Sequence, residues 1–483
     1  MSLPTSFFHT RVPLVGGGWL LQFDTTNKSM YMDATKDTLR YVDALQAGYV
    51  GFDDLTTNGN IRSAHIMKFD KDGNITYQNG YNRGSGLELR SFDVFDDGTM
   101  MVMGEDGGQT YFATVDSNGS TNGTGHRFYN SVYGWSMARR EGATPGSSFT
   151  RQVAWAGRLA TDQRMVIRNY GWDTSTNFSG LGNQRSSYNG GNVVQPNKVI
   201  VREDNQVSAI VGRYPQNGDS SFANLYTGLF SFQGGHFADL GDANLYNQFD
   251  GACWDYGQRG ISSNTNNSLF ACGYLNNSDG QQFGSFANYG NYGFTGGASI
   301  TTTTGWSTDL MRLLSCAYDD VGTSRRVYVV GKNRSPLAIR NAAGGGINSY
   351  DGVLLCINVS NVASPTLEWA QGWYMTQQNG TVRAVDAWDV VVDDDGQLIV
   401  SGSTYGYTNG RVRQLYLVSL PTSGPISQTV NGLTFYDATS LYQMQSVNWS
   451  VGQTDDRSSS WSESNQTMSQ TNGSVGTGVL TEL

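Results

Sequence analysis

An all-β repeat fold follows from three features of the 483-residue sequence: its composition, a glycine that returns at a near-constant step, and the strand-like runs between its copies. Glycine accounts for 61 residues, nearly twice the usual share of about 7%, and Tyr, Phe and Trp number 26, 21 and 11. Only 15% of residues are charged. Glycine, aromatics and Asn/Ser/Thr with few charges make strands and turns, not long helices. The aromatics also exclude a disordered chain, because they would not stay solvated.

The returning glycine ends an apolar run that follows a polar or tight turn, as in "DDGTMMVMG", "DNQVSAIVG", "SRRVYVVG" and "DDDGQLIVSG". Its copies are Gly51, Gly104, Gly157, Gly212, Gly273, Gly331 and Gly402, at steps of 53, 53, 55, 61, 58 and 71. A repeat of this size marks an array or a propeller. Before each turn lies one apolar run ("RSFDVF", "NKVIV", "RLLSCAY", "AWDVVV"). After the glycine comes a third ("HIMKFD", "TYFATVD", "LYTGLFSF", "GSFANYG", "GVLLCINV", "LYLVSL") and then a fourth ("NITYQNGY", "HRFYN", "TLEWAQGWY", "GLTFYD"). Four short strands per unit and seven units predict a seven-bladed β-propeller of four-stranded blades with extended N- and C-terminal arms. The repeating glycine is expected where backbones of neighbouring blades approach closely.

The expected division is an N-terminal arm or ring-closing strands at 1–36, the propeller at 37–437, and a Ser/Thr/Asn/Gln/Gly-rich C-terminal assembly arm at 438–483. The last segment carries Trp449, Trp461, Met468 and Leu480 at wide spacing and cannot build a core of its own. It is either a flexible tail or an arm ordered by a partner, and its spaced apolar residues favour the arm.

Asp393, Asp394 and Asp395 precede Gly396, and similar tips stand at 70–73 ("DKDG"), 96–98 ("DDG") and 116–119 ("DSNG"). Glycine supplies a positive φ and the Asp side chain bonds nearby backbone amides, so these read as hairpin turns. A bound cation is the alternative at 393–395. "DKDGN" is not a calcium loop, since the EF-hand glycine belongs at position six.

The unit at 384–424, "AVDAWDVVVDDDGQLIVSGSTYGYTNGRVRQLYLVSLPTSG", resembles the propeller repeats of bacteria and phages. Val392, Asp395, Gly396, Val400, Gly402, Leu415, Leu417, Leu420 and Gly424 carry the match. It is good over 86–130 and 384–437 and loose between, and it implies a fold rather than an activity. With its Gly/Asn/Ser/Tyr richness, low Lys content and polar C-terminal segment, the whole chain also resembles a tailed-bacteriophage virion protein of the tail or baseplate, marine or cyanophage-like. That resemblance implies a non-enzymatic structural protein of the tail, baseplate or fibre apparatus, an assembly scaffold or host-contact module. Its partners would be other virion proteins, further copies of itself, and a host-surface glycan as a further candidate. A glycan-binding adhesion propeller is the first alternative, with the aromatics of "GYTNGRV", "NYGNYGF" and "QNGYNRG" stacking on sugars. A propeller hydrolase acting on polysaccharide is the second.

The residues themselves argue against other classes. A net charge of −10 repels nucleic acid. No run approaches the ~18 apolar residues of a membrane span. The N-terminus lacks a basic start followed by an apolar core, so no signal peptide is expected and the chain would be made in the host cytoplasm and end in the virion. Cys253, Cys272, Cys316 and Cys356 have no zinc spacing and sit in apolar runs, where a thiol behaves as a small hydrophobe; a disulfide is the alternative. His9, His65, His126 and His236 lie in no HExxH, and there is no GxSxG elbow or phosphate-binding GxxxxGK[ST]. No catalytic, cofactor-binding or metal residue is therefore assigned, and no cofactor is expected.

Overall fold

The computed structural model describes residues 9–23, 31–55, 61–82, 86–121, 127–129, 132–141, 151–159, 165–172, 178–187, 195–201, 207–214, 220–227, 231–239, 246–254, 268–276, 282–290, 293–303, 310–321, 324–334, 350–405, 413–446, 450–452, 470–471 and 476–478. Within them the fold is all-β: antiparallel sheets arranged as in a β-propeller, with single 3-10 turns at Asp43–Leu45 and Thr439–Leu441.

Seven sheets follow one another along the described chain. Sheet 1 holds Tyr31–Val42, Ala47–Leu55, Ile61–Asp70 and Ile75–Asn82; sheet 2 holds Glu88–Val94, Met100–Asp106, Gln109–Val115 and Arg127–Tyr129. Sheet 3 holds Val132–Glu141, Arg151–Leu159, Met165–Trp172 and Phe178–Ser187; sheet 4 holds Gln195–Val201, Val207–Tyr214, Ser220–Thr227 and Ser231–Asp239. Sheet 5 holds Tyr246–Trp254, Leu269–Asn276, Gln282–Gly290 and Gly293–Thr302; sheet 6 begins Met311–Val321, Ser324–Arg334, Tyr350–Asn358 and Thr366–Thr376. Sheet 7 begins Val385–Val392, Gln397–Tyr405 and Arg413–Pro421. The first strand of each sheet packs against the first strand of the next, and Val385–Val392 packs against Tyr31–Val42.

A sheet covered on both faces has strands that are apolar without alternation. Gln397–Tyr405 is buried at every position except its two ends. Trp19, Leu21 and Phe23 meet Val50, Phe52, Phe69, Leu415 and Leu417 in one core between sheets 7 and 1. Leu89 and Phe92 meet Tyr49 and Ile66 between sheets 1 and 2.

Both chain ends join sheets that are remote in sequence. Trp19–Phe23 pairs with Arg413–Pro421, and His9–Pro13 pairs outside it. The run "GLTFYD" therefore does not complete the unit it follows. Leu433–Asp437 crosses back to pair with Thr366–Thr376 of sheet 6, because Trp19–Phe23 already occupies the edge of sheet 7. Next along the chain, Tyr442–Ser446 pairs with sheet 5 and Ser450–Gly452 with sheet 4. Gln470–Thr471 then pairs with sheet 2 and Gly476–Gly478 with sheet 1. Trp449, Trp461, Met468 and Leu480 lie outside the described residues.

The repeating glycine serves a contact inside a sheet, which corrects the between-blade expectation. It stands on the second strand, opposite the residue that precedes a β-bulge in the first strand: Gly104 faces Leu89, Gly331 faces Leu313 and Gly402 faces Ala387. A Cβ there would strike the backbone carbonyl of the bulged strand: Tyr133 at Gly157, Gln248 at Gly273, Arg312 at Gly331 and Asp386 at Gly402. The bulge pushes that carbonyl toward the partner strand, so only glycine fits. Gly51 differs, since its Cβ would meet Leu89 and Phe92 of the next sheet.

Candidate functional site

The bulges aim the residues that follow them toward a common axis. There the first strands of all seven sheets line one cavity of about 540 Å³. Each sheet contributes a polar or sulfur side chain to its wall: Arg40, Asp93, Arg139, Lys198, Cys253, Cys316 and Asp389.

Most of these groups tie one sheet to another. Asp389 is 2% exposed and bridges three sheets. Its carboxylate accepts the Leu39 N–H at 3.1 Å and the Ser315 hydroxyl at 2.5 Å, as well as its own neighbour's Val390 N–H at 3.0 Å. Arg40 lies 3.5 Å from the Asp93 carboxylate and 3.8 Å from that of Asp389, and its guanidinium also donates to the Met137 carbonyl. Asp93 accepts the Arg139 N–H at 2.7 Å. The Ser91 hydroxyl takes the Met137 N–H, and that of Ser136 takes the Val199 N–H at 2.9 Å. A short polar side chain just after the bulge thus satisfies a backbone amide of the adjoining sheet, where no strand partner exists.

The aspartate tip at 393–396 is a hairpin turn, as the sequence indicates. Gly396 has φ +79° and donates to the Asp393 carbonyl at 3.0 Å, while the Asp393 carboxylate accepts the Gln397 N–H at 2.6 Å. Gly73, Gly98 and Gly119 repeat the positive φ, and Asp70 and Asp116 repeat the carboxylate–amide bond. Burial, and then the charges of Asp394 and Asp395, push the Asp393 carboxyl up to about 6 despite the bond from Gln397. The tip has a second role that the sequence did not reveal. Asp394 accepts the Tyr41 hydroxyl at 2.9 Å and the Gln46 amide at 2.8 Å, and Asp395 lies 3.5 Å from the Lys71 ammonium, all from sheet 1.

The histidines do not converge. His65 is 1% exposed, stacked on Phe52 at 5.2 Å with Ser63 Oγ 2.7 Å from Nε2, and burial lowers its pKa to about 3. His9 pairs with Phe23 and His236 with Ala223 in their strands, and His126 lies outside the described residues. The cysteines do converge in part: Cys253, Cys272 and Cys316 meet at the boundary of sheets 5 and 6, and Cys356 stands apart beside Glu368. None is in a disulfide. Spacings of 19 and 44 residues gave no sign of this, because the meeting is made by sheet stacking. Among the described residues no group of His, Cys, Asp and Glu has metal-holding geometry. Of the suggested sugar-stacking aromatics, Tyr81 is buried and donates its hydroxyl to the Gly119 carbonyl at 3.0 Å, and the run 406–412 lies outside the described residues.

No family model matches this chain, and no curated protein matches it. Solved structures similar to it include the Dos1 propeller, 9% identical with a TM-score of 0.43 over 84% of this chain and 90% of that one. A prolyl endopeptidase structure is 9% identical with a TM-score of 0.38, over 78% of this chain and 54% of that one. The β-fructofuranosidase of Schwanniomyces occidentalis, complexed with fructosyl-erythritol, is 9% identical with a TM-score of 0.29, over 88% and 97%. Likeness this distant says nothing of substrate or activity.

Proposed function

We propose that the chain is a closed seven-bladed β-propeller of four-stranded blades, and that it works as a non-enzymatic structural protein of a phage virion, in the tail, baseplate or fibre apparatus. One observation carries the structural half of this reading: the carboxylates at the axis are spent on joining sheets. Asp93 and Asp389, the carboxylates a polysaccharide hydrolase would need free, share Arg40 and hold backbone amides of neighbouring sheets. The seventh sheet is completed by Trp19–Phe23, so the ring closes through the chain's own beginning. The virion half rests on the composition and the polar C-terminal segment. In this reading the protein supplies a rigid ring on which further virion proteins or copies of itself assemble.

Quantitative proteomics of purified particles from a culture making this chain tests the proposal. The chain should appear at a fixed small-integer ratio to tail proteins. Its absence from particles would overturn the virion reading, and saturable binding on a glycan array in that case would favour an adhesion protein. Release of reducing sugar from polysaccharide, lost on Asp389→Asn in a folded variant, would overturn the non-enzymatic reading.

A further inference from the structure

Three thiols from two sheets face one seam at the axial cavity. In sheet 5, Gly251 pairs with Cys272 and Cys253 pairs with Phe270, so Cys253 and Cys272 share a face. That face packs on Met311–Val321 of sheet 6, where the Cys316 Sγ lies 3.9 Å from the Phe270 carbonyl oxygen. Gly251 keeps the seam tight: a Cβ there would stand 2.8 Å from the Cys272 Sγ and 2.6 Å from the Ser315 Cα. Cys253 and Cys316 line the cavity, with Lys198 on the same wall, while Cys272 is wholly buried behind them. Cys253 is half-buried and Cys316 is 5% exposed.

We propose that Cys316 and Cys253 form a thiol–disulfide exchange site that takes a low-molecular-weight disulfide from the cavity and closes a disulfide between sheets 5 and 6. Cys316 is the attacking sulfur. Burial alone would raise its pKa, but hydrogen bonds from Cys253 and Cys272 and the Lys198 ammonium outweigh burial and the opposing Asp389 charge, and bring it below the usual thiol range. Cys272 is held protonated, raised by burial, by the Cys316 and Cys253 thiols and by Asp250. Of the other charges lining the cavity, Arg40 lies 3.5 Å from Asp93, Arg139 lies 2.8 Å from Asp96, and Asp43 stands on the sheet 1 side. In the first step the Cys316 thiolate attacks one sulfur of the disulfide RSSR, forms the mixed disulfide and releases RS⁻. In the second, the Cys253 sulfur attacks Cys316 Sγ, forms the internal disulfide and expels the second RS⁻. The two thiol protons end on two RSH, so two cysteines are oxidised and one RSSR is reduced. Cys356 is the internal control: burial first and the Glu368 charge next raise its pKa, and it lies away from the cavity wall.

The test uses the folded full-length chain and 4,4′-dithiodipyridine at about pH 6, where an ordinary thiol of pKa about 8.5 is almost wholly protonated. The wild type should release two thiopyridones per chain, keep no adduct, lose the mass of two hydrogens, and yield a Cys253–Cys316 cross-linked peptide. Cys253→Ser should release one and retain a stable adduct on Cys316. Cys316→Ser should react at least about tenfold more slowly, as expected when the thiolate fraction is lost. Where a variant does not fold, the wild-type pH–rate profile decides: a plateau reached well below pH 8 supports the site, and a rate still rising there overturns it. A folded wild type that does not react, reaction first at Cys356, or a cross-link joining Cys272 also overturns it.

Discussion

The two ends of the chain both add strands to sheets built far away, yet they do different physical work. Trp19–Phe23 is buried at every position and fills a place that sheet 7 would otherwise lack. Tyr442–Ser446 is added to sheet 5, which already has four strands, and apart from Tyr442 it faces solvent wholly or in part. The first end therefore completes a core and the second covers an edge. An open strand edge exposes unpaired amides and carbonyls and templates association, so covering it guards against wrong pairing more than it adds burial. The seam at the first end is also the one place where neighbouring sheets are not consecutive in the chain. Its directional contacts join Asp389 to Leu39, Asp394 to Tyr41 and Gln46, Asp395 to Lys71, and the Trp19 indole to the Lys71 carbonyl at 2.9 Å.

The largest effect should come from removing residues 1–24. That deletion strips Trp19, Leu20, Leu21 and Phe23, all buried, and at about 1.5–3 kcal/mol per side chain the loss rivals the entire stability of an ordinary domain, about 5–15 kcal/mol. The truncated chain should show no cooperative thermal transition; a transition within a few degrees of wild type would refute the completing role. Next, Asp389→Ala should cost about 3–5 kcal/mol in urea unfolding, because it orphans the buried Leu39 N–H and Ser315 hydroxyl and leaves Arg40 with one carboxylate. Ser136→Ala, which removes the acceptor for the Val199 N–H of the next sheet, should cost only about 1–2 kcal/mol.

Ending the chain at 437 should cost less than either larger change. It removes buried Tyr442 and Ala438, for about 2–3 kcal/mol, and the shortened protein should fold but associate at lower concentration in light scattering. A matched pair sharpens the point: Leu21→Ala should cost about 2–5 kcal/mol and Met444→Ala under about 1 kcal/mol.

The smallest effect concerns the tip at the seam between sheets 7 and 1. The folded-state pKa of Asp393, about 6, lies above its ordinary value of 3.8, so the native state holds that proton more tightly than the unfolded chain. The stability it contributes is complete below pH 3.8 and is lost as pH rises through about 6. Asn keeps the acceptor for the Gln397 N–H and cannot ionise, so Asp393→Asn should be the more stable protein above pH 6, by under about 1 kcal/mol, with the difference fading toward pH 4. A melting-temperature series over that range checks the sign.

The sequence determined the local order. Turn tips such as 393–396, a second-strand glycine facing a first-strand bulge such as Gly402, and the runs that become strands such as Gln397–Tyr405 are set by contacts within a few residues or within one hairpin, and short-range pattern reports them. The sequence did not tell which face of a glycine the next backbone would crowd, so Gly402 was legible as special while its contact was placed wrongly. Nor did it show where the ends go: "WLLQF" and "GLTFYD" are both good strands, and which edge each takes is settled by the edge left open once the other sheets are stacked. The axial cavity, the sharing of Arg40 by Asp93 and Asp389, and the meeting of Cys253, Cys272 and Cys316 were decided by tertiary structure alone. Their members lie from 19 to 349 residues apart, and no local rule relates side chains that touch only because separate sheets converge on one axis.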